Sequence, residues 1–370
     1  MLITIILKQK LESLPPVINL VDCLIDLGVS INLVCTDIDG FNYDRYIKKI
    51  SIKIIKFNDY GFRPFKIFSL ISFRREIHKY LESSDLGFRD DSFVWLASAE
   101  ASLGVGHKIS KYKFVFQCHE LYDKVIQYKI QNKFYFQNSI LNVCPESNRA
   151  AIFRYWYNLT QNPFVLVNAP YFHPKEKCLK IDNPQNEIEI YNLKNKKIIL
   201  YMGQVSVERD ITPFAKAIDE LGDNFHLLVM GAYIPERDYI ENLKKKFKNI
   251  SFINGMPSPS HLQVASWAYI GILSYSFIDL NNVFCAPSKV WEYSGFGIPV
   301  ISNDIPGIAS LLQKYKSGIA VNIELSNINN IKSAILEINS NHGEYCINSQ
   351  KMFDSTDFKM RVNEILNKLK

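Results

Sequence analysis

Short apolar runs rich in Ile and Val alternate with longer amphipathic stretches along nearly the whole chain. A brief apolar run between polar turns is the signature of a strand buried on both faces, and strands separated by helix-length segments pair in parallel. In the first half this predicts strands over 2–7, 30–35, 50–56, 93–97, 113–117, 140–143 and 164–167. Helices fall between most of them. Leu70, Phe73, Ile77 and Tyr80 or Leu81 recur at helical spacing within 67–81, and 146–157 has the same character. Six further strands follow over 197–202, 226–230, 250–254, 270–274, 299–302 and 319–322.

Between the two series, 171–197 interrupts the alternation with His173-Pro174-Lys175-Glu176-Lys177 and Asn183-Pro184-Gln185-Asn186, residue types that favour turns. The expected organisation is therefore an α/β chain of two doubly wound domains, 1–172 and 197–355, joined by a linker over 173–196. A terminal helix over 356–370 carries Phe358, Val362, Ile365, Leu366 and Leu369 on one face, which must pack on a neighbour.

Length agrees with two cores, since domains run to ~100–200 residues. A composition of 47% hydrophobic and 22% charged residues, with 24 Phe and 20 Tyr, excludes a disordered chain. The net charge of +6 comes without a dense basic stripe, which argues against nucleic acid and leaves anionic small molecules or a membrane surface. Seven scattered cysteines, never in a C-x-x-C pair, indicate neither a disulfide framework nor a zinc site, as in a reducing cytosol. Met1 to Leu7 reads as a first strand rather than a leader, and no run approaches the ~18 apolar residues of a membrane span. Any membrane contact is expected from the side, with Phe62-Arg63-Pro64-Phe65-Lys66, Arg74 and Arg75 as the candidate patch; a solvated helix face is the plainer reading.

Ligands of open α/β sheets sit beyond the carboxyl ends of the strands, so chemistry is sought in the loops there. After the strand at 197–202 come Gly203, Gln204 and, before a helix expected to be capped by Thr212 and Pro213, Glu208-Arg209. A glycine lets backbone approach a ligand, and an arginine can grip phosphate oxygens in a fork; a turn glycine and a solvated arginine would look the same. Further on, Pro287-Ser288-Lys289 open a helix whose first amides favour phosphate, with Ser288 as the expected cap. Glu292 lies one turn in, on the face of Ser288, where a carboxylate can accept from two vicinal hydroxyls. In the first domain a predicted strand runs into His119 and Glu120, residue types suited to hydrogen bonding and proton transfer. No Asp-x-Asp motif stands in a cleft position and no ligand cluster has metal spacing, so no metal is expected.

The run Pro287-Ser288-Lys289, Glu292-Tyr293, Gly297 and Pro299-Val300-Ile301, preceded by Gly203 and Glu208-Arg209, resembles the nucleotide-binding half of GT-B glycosyltransferases of the group-1, or family 4, kind. The resemblance extends in order through Val229-Met230-Gly231, Phe252-Ile253-Asn254-Gly255 and Asp304-Ile305-Pro306-Gly307, and Asn168-Ala169-Pro170 is similar to the turn that closes the first domain in that family. It implies two Rossmann-like domains facing a cleft, with the terminal helix crossing back to the first. It also implies transfer of a sugar from a nucleotide diphosphate donor, a UDP-sugar by family expectation, to a glycan or lipid-linked acceptor in bacterial surface polysaccharide synthesis. Retention of configuration, no cofactor and a cytoplasmic setting, at most at the inner membrane face, go with it.

Carried over by residue, Glu292 binds the donor ribose and Arg209 its diphosphate. Pro287, Ser288 and Lys289 sit at the phosphates, with Gly203 and Gln204 beside them. His119 and Glu120 serve catalysis with Arg209. Two positions depart from the family: Gln204 stands where a basic residue is usual, and Phe284 replaces the first acid of a Glu-x7-Glu pair that touches the transferred sugar. Asp279, Asn281 and Asn282 are the nearby substitutes for that contact. These departures keep two rivals open: a nucleotide-sugar 2-epimerase of the same fold, and a non-catalytic nucleotide-sugar-binding subunit.

Overall fold

The computed structural model describes residues 1–37, 46, 48–57, 63–83, 91–205, 209–231, 237–323 and 328–370, with backbone alone at 63–66 and 237. The chain divides into two compact units, Met1–Val167 together with Asp357–Lys370, and Asn168–Thr356.

The first unit is built on β1 (Leu2–Ile6), α1 (Pro15–Asp26), β2 (Ser30–Cys35), β3 (Ser51–Ile54), α2 (Arg63–Glu82), β4 (Ser92–Leu96) and α3 (Ala99–Val105). It continues through β5 (Phe114–Gln117), α4 (Ile126–Asn138), β6 (Leu141–Cys144), α5 (Ser147–Tyr157) and β7 (Phe164–Val165). The seven strands lie in the order β3-β2-β1-β4-β5-β6-β7, all parallel, so the order reverses between β1 and β4. Parallel strands covered on both faces must be apolar throughout, which is why Phe93, Val94, Trp95 and Leu96 are all buried. On one face α2, α3, α4 and α5 pack in succession.

The second unit follows with α6 (Pro184–Asn192), β8 (Lys197–Met202), α7 (Thr212–Leu221), β9 (Phe225–Gly231), α8 (Arg237–Lys246), β10 (Ile250–Asn254), α9 (His261–Ala265) and β11 (Ile270–Leu273). After it come α10 (Leu280–Val283), α11 (Ser288–Ser294), β12 (Val300–Asn303), α12 (Pro306–Tyr315), β13 (Gly318–Val321), α13 (Asn329–Ser340) and α14 (His342–Asp354). Its six parallel strands run β10-β9-β8-β11-β12-β13, reversing between β8 and β11.

The last helix, α15 (Phe358–Leu369), belongs to the first unit although the second precedes it. Its apolar face is buried and meets α1, while Arg361 lies 4.1 Å from the Phe164 ring and donates to the Val165 carbonyl at 3.1 Å.

The stretch expected to link the domains is folded into the second unit instead. Asn183 caps α6 through the Asn186 N–H at 3.0 Å, and Asn186 exchanges two hydrogen bonds with the Asn254 backbone at the end of β10. Upstream, Cys178 and Asp182 bond Ser266 and Gln263 in and after α9. The polar residues that suggested a loose connector are thus spent on a cap and on backbone groups that would otherwise be orphaned.

Candidate functional site

In the second unit the loop after β8 begins at Gly203, whose φ of +142° is a conformation that side-chain-bearing residues rarely adopt. The space a Cβ would fill there borders the Lys289 side chain, with Cε at 3.5 Å and Nζ at 4.0 Å. A lysine from α11 therefore lies over the bare face of the β8 glycine. Beneath it, Tyr201 donates to the Gln204 carbonyl at 2.9 Å; burial pushes the Tyr201 phenol up to about 12, against the pull of Arg209. Arg209 sits 5.6 Å from the Tyr275 ring, a cation–π distance that keeps the guanidinium on this loop. Glu208 lies outside the described residues.

The position of α11 follows from a strand glycine. A Cβ on Gly271 would meet the Tyr293 ring at 2.5 Å, so the bare backbone of β11 admits that ring flat against the sheet, and the Tyr293 hydroxyl donates to the Leu200 carbonyl of β8 at 2.8 Å. Two side chains from the start of the unit brace the same helix. Asn168 donates to the Ala286 carbonyl at 2.8 Å, and His173 Nε2 to the Glu292 carbonyl at 2.9 Å with its ring against Gly295.

Held this way, Glu292 is only 6% exposed. Its Oε2 is 3.1 Å from His261 Nε2 at the start of α9, and Ser288 bonds it from the preceding turn. Burial alone would push this carboxyl up; His261, through its hydrogen bond and charge, and then Lys289 and Ser288, outweigh that and hold it at about 2. The site thus keeps a buried, charged acceptor beside a lysine and an opened glycine.

Several expectations are corrected here. Ser288 is the first helical residue, and Pro287 holds the N-cap position without a side-chain bond; the serine serves Glu292. Thr212 likewise opens α7, behind Ile211 at the N-cap, and Asp210 accepts the Thr212 N–H at 2.8 Å. Asp279 is the N-cap of α10, accepting from the Asn282 backbone and side-chain amides at 2.7 and 2.8 Å, so this pair is engaged in a cap. Phe284 ends that helix, and the first turn of α12 closes on it: a Cβ at Gly307 would stand 2.6 Å from the Cys285 carbonyl. Asn281 is part-exposed on α10, and Gln204 presents its side chain to solvent.

In the first unit His119 and Glu120 follow β5. His119 is 7% exposed; its Nε2 meets the Ala97 carbonyl at 3.1 Å, while Nδ1 is buried with no hydrogen-bond partner. A carbonyl can only accept, so Nε2 carries the hydrogen, and burial lowers the ring's pKa. The neutral ring then offers Nδ1 as an acceptor. Glu120 is paired with Arg149 at 3.2 Å, and Arg149, buried at 3% exposure, also donates to the His119 carbonyl. Arg149 enters α5 behind Glu146, whose side chain caps that helix through the Asn148 and Arg149 amides. Nearby, Tyr122, at a φ of +52°, donates to Glu100 at 2.5 Å and stacks on Tyr128 at 4.4 Å.

Sequence reasoning missed His261, Arg149 and Glu100, none of which stands in a motif, and gave no role to Tyr122, which lies in the loop of His119 and Glu120.

Of the basic-aromatic patch, 62–66 lies outside the described side chains. Arg74 donates to the Leu103 carbonyl at the end of α3 at 2.9 Å, a structural task, whereas Ile67, Phe68 and Ile71 of α2 are exposed. No described helix is long and apolar enough to cross a membrane, and among the described residues no His, Cys, Asp or Glu cluster forms a metal site.

Residues 184–354 match the family of glycosyl transferases group 1. HepE of Anabaena, solved with UDP and glucose, is 10% identical, with 99% of this chain and 98% of that one covered and a TM-score of 0.68. A Rickettsia africae glycosyltransferase is 16% identical over 100% and 95% of the two chains, with a TM-score of 0.64. A Listeria monocytogenes protein provisionally assigned as a UDP-N-acetylglucosamine 2-epimerase is 11% identical over 99% and 94%, with a TM-score of 0.61. Among curated protein sequences no match is found. Likenesses at such identities establish the GT-B fold, and the match to glycosyl transferases group 1 covers residues 184–354, a little under half of the chain.

Proposed function

We propose that this glycosyltransferase uses a nucleoside-diphosphate sugar, with uridine as the base, and delivers the sugar to a saccharide or lipid-linked saccharide in bacterial surface polysaccharide synthesis. The observation that carries the donor half is the buried Glu292 carboxylate, held charged one turn beyond Ser288 and beside Lys289. A carboxylate in that state accepts from a ribose diol. Lys289 over Gly203, with Arg209 on the same loop, then meets the diphosphate. The complex of the Anabaena protein with UDP-glucose supports the choice of nucleotide.

In this reading the negative charge that develops on the departing diphosphate falls to Lys289 and Arg209, with no cofactor and no divalent ion in the scheme. His119 accepts a sugar hydroxyl at Nδ1. Glu120, already paired with Arg149, takes the acceptor's proton only as that pair yields. The anomeric configuration is retained. The exposed apolar residues of α2 fit an enzyme that approaches lipid-linked acceptors at the inner face of a membrane.

An epimerase needs acid/base groups around the sugar; Phe284 supplies none, and Asp279 is bound into a cap. A non-catalytic subunit would bind nucleotide and transfer nothing. The experiment is calorimetric titration of UDP without added metal, followed by incubation with UDP-sugars and NMR of the first-formed product. Binding and release of UDP dependent on an added acceptor are expected; turnover without acceptor would favour the epimerase, and no binding would overturn the reading.

A further inference from the structure

We infer that His261 is a positioning residue for nucleotide recognition, fixing the Glu292 carboxylate as a hydroxyl acceptor for the nucleoside's sugar. The inference rests on the role given to Glu292 above and adds the residue that makes this role possible.

Three groups serve the Glu292 carboxylate, and they are not equivalent. Ser288 and Lys289 ride on α11 with Glu292 itself, so they move with it. His261 comes from α9, which packs on α11, and its Nε2 lies 3.1 Å from Oε2. It therefore anchors the carboxylate from a separate element, fixing where the carboxylate points in the unit. A carboxylate has about four lone-pair sites. His261 and Ser288 each take one, which leaves two, the number that a vicinal diol donates. A carboxylate can only accept, so the bond is made by Nε2–H, while Nδ1 is buried without a partner.

Without it, Glu292 would be a buried carboxylate with only partners from its own helix. Burial disfavours the charged form, so the carboxyl would take up a proton at a higher pH and lose its acceptor capacity. Among the described residues, the charged and titratable groups that face His261 are Glu292 from α11, beside which Lys289 stands, and His173 from the segment bracing that helix.

The test uses the full chain and UDP as the probe, with His261→Leu, His261→Asn, His261→Gln and Glu292→Gln titrated by calorimetry. The Leu and Asn variants should bind UDP about 10-fold or more weakly, the loss expected when a hydrogen bond to a charged group is removed. Gln, which carries an N–H at comparable reach, should restore binding to within ~3-fold. Donor KM should rise with kcat nearly unchanged, the mark of lost uniform binding. As the pH is lowered from 7 to 5, His261→Leu should lose further affinity that the unaltered protein keeps; should Leu not fold, Asn carries this comparison. Leu or Asn variants that bind like the unaltered protein, while Glu292→Gln does not, would overturn the role of His261 alone. Unchanged binding in Glu292→Gln as well would overturn the donor-site reading beneath it.

Discussion

The two units each bury a titratable side chain near the carboxyl ends of their strands and treat it in opposite ways. In the second, Glu292 is kept charged by His261, Lys289 and Ser288, with hydrogen-bonding capacity to spare. In the first, His119 is pushed toward the neutral ring by burial and tied by Nε2 to Ala97, and the carboxylate beside it is already matched by Arg149. A charged group held by donors without saturating them is suited to grip a ligand that brings its own hydroxyls. A neutral ring with one free acceptor atom is suited to orient a hydroxyl and move little charge. In the function proposed above, the second unit is therefore the one that makes the binding energy, and the first the one that sets geometry.

That contrast can be broken by mutation. The largest expected effect is at Arg209: in Arg209→Ala the loss of a preorganised donor to the leaving diphosphate should cost ~10²–10³ in kcat with the fold intact, read by steady-state kinetics and circular dichroism. Near-normal turnover would remove Arg209 from the chemistry. Next, His119→Ala should lower kcat by about 10²-fold while leaving UDP affinity within ~2-fold of the unaltered protein. Glu292→Gln should do the reverse, weakening UDP by ~10–100-fold with a smaller change in kcat. If both variants lose nucleotide affinity equally, the division of labour fails.

Much of the fold is legible in the sequence, for a physical reason. Strands buried on both faces must be continuous apolar runs, so all thirteen strands of the two sheets overlap the predicted positions. The candidate site over 288–301 stands out in the sequence because one short segment carries it. What fails is local or distant. Ser288 and Thr212 each fall one residue inside their helices, since cap geometry is decided by a single backbone torsion. The residues of 173–196 look like a linker because side chains that favour turns also cap helices. His261 and Arg149 are invisible because they act across space on residues far along the chain, with no motif to announce them.

A smaller effect sharpens the account of how the site is held. Gly271 exists to admit the Tyr293 ring, so Gly271→Ala should force that ring and α11 away from the sheet and cost roughly 1–3 kcal/mol. Urea unfolding measures it. An unchanged midpoint would mean that α11 is positioned by Asn168 and His173 without help from the ring.

The smallest expected effect concerns the charge on Glu292 itself. Its folded value, about 2, lies below the ordinary 4.5. A lowered value means that the unfolded chain binds the proton more readily, so the contribution to stability is complete above about pH 4.5 and is lost as pH falls through about 2. Glu292→Gln cannot titrate at this position, and the other carboxyls titrate in both proteins, so the stability difference between them isolates this group. Urea unfolding at pH 5 and pH 3 should show the unaltered protein's advantage over Glu292→Gln shrinking by about 1–2 kcal/mol. A constant difference would mean that folding leaves the carboxyl's proton affinity unchanged, and an advantage that grows on acidification would mean that the fold holds it neutral. In that last case both units would bury neutral groups, and the electrostatic difference drawn between them would vanish.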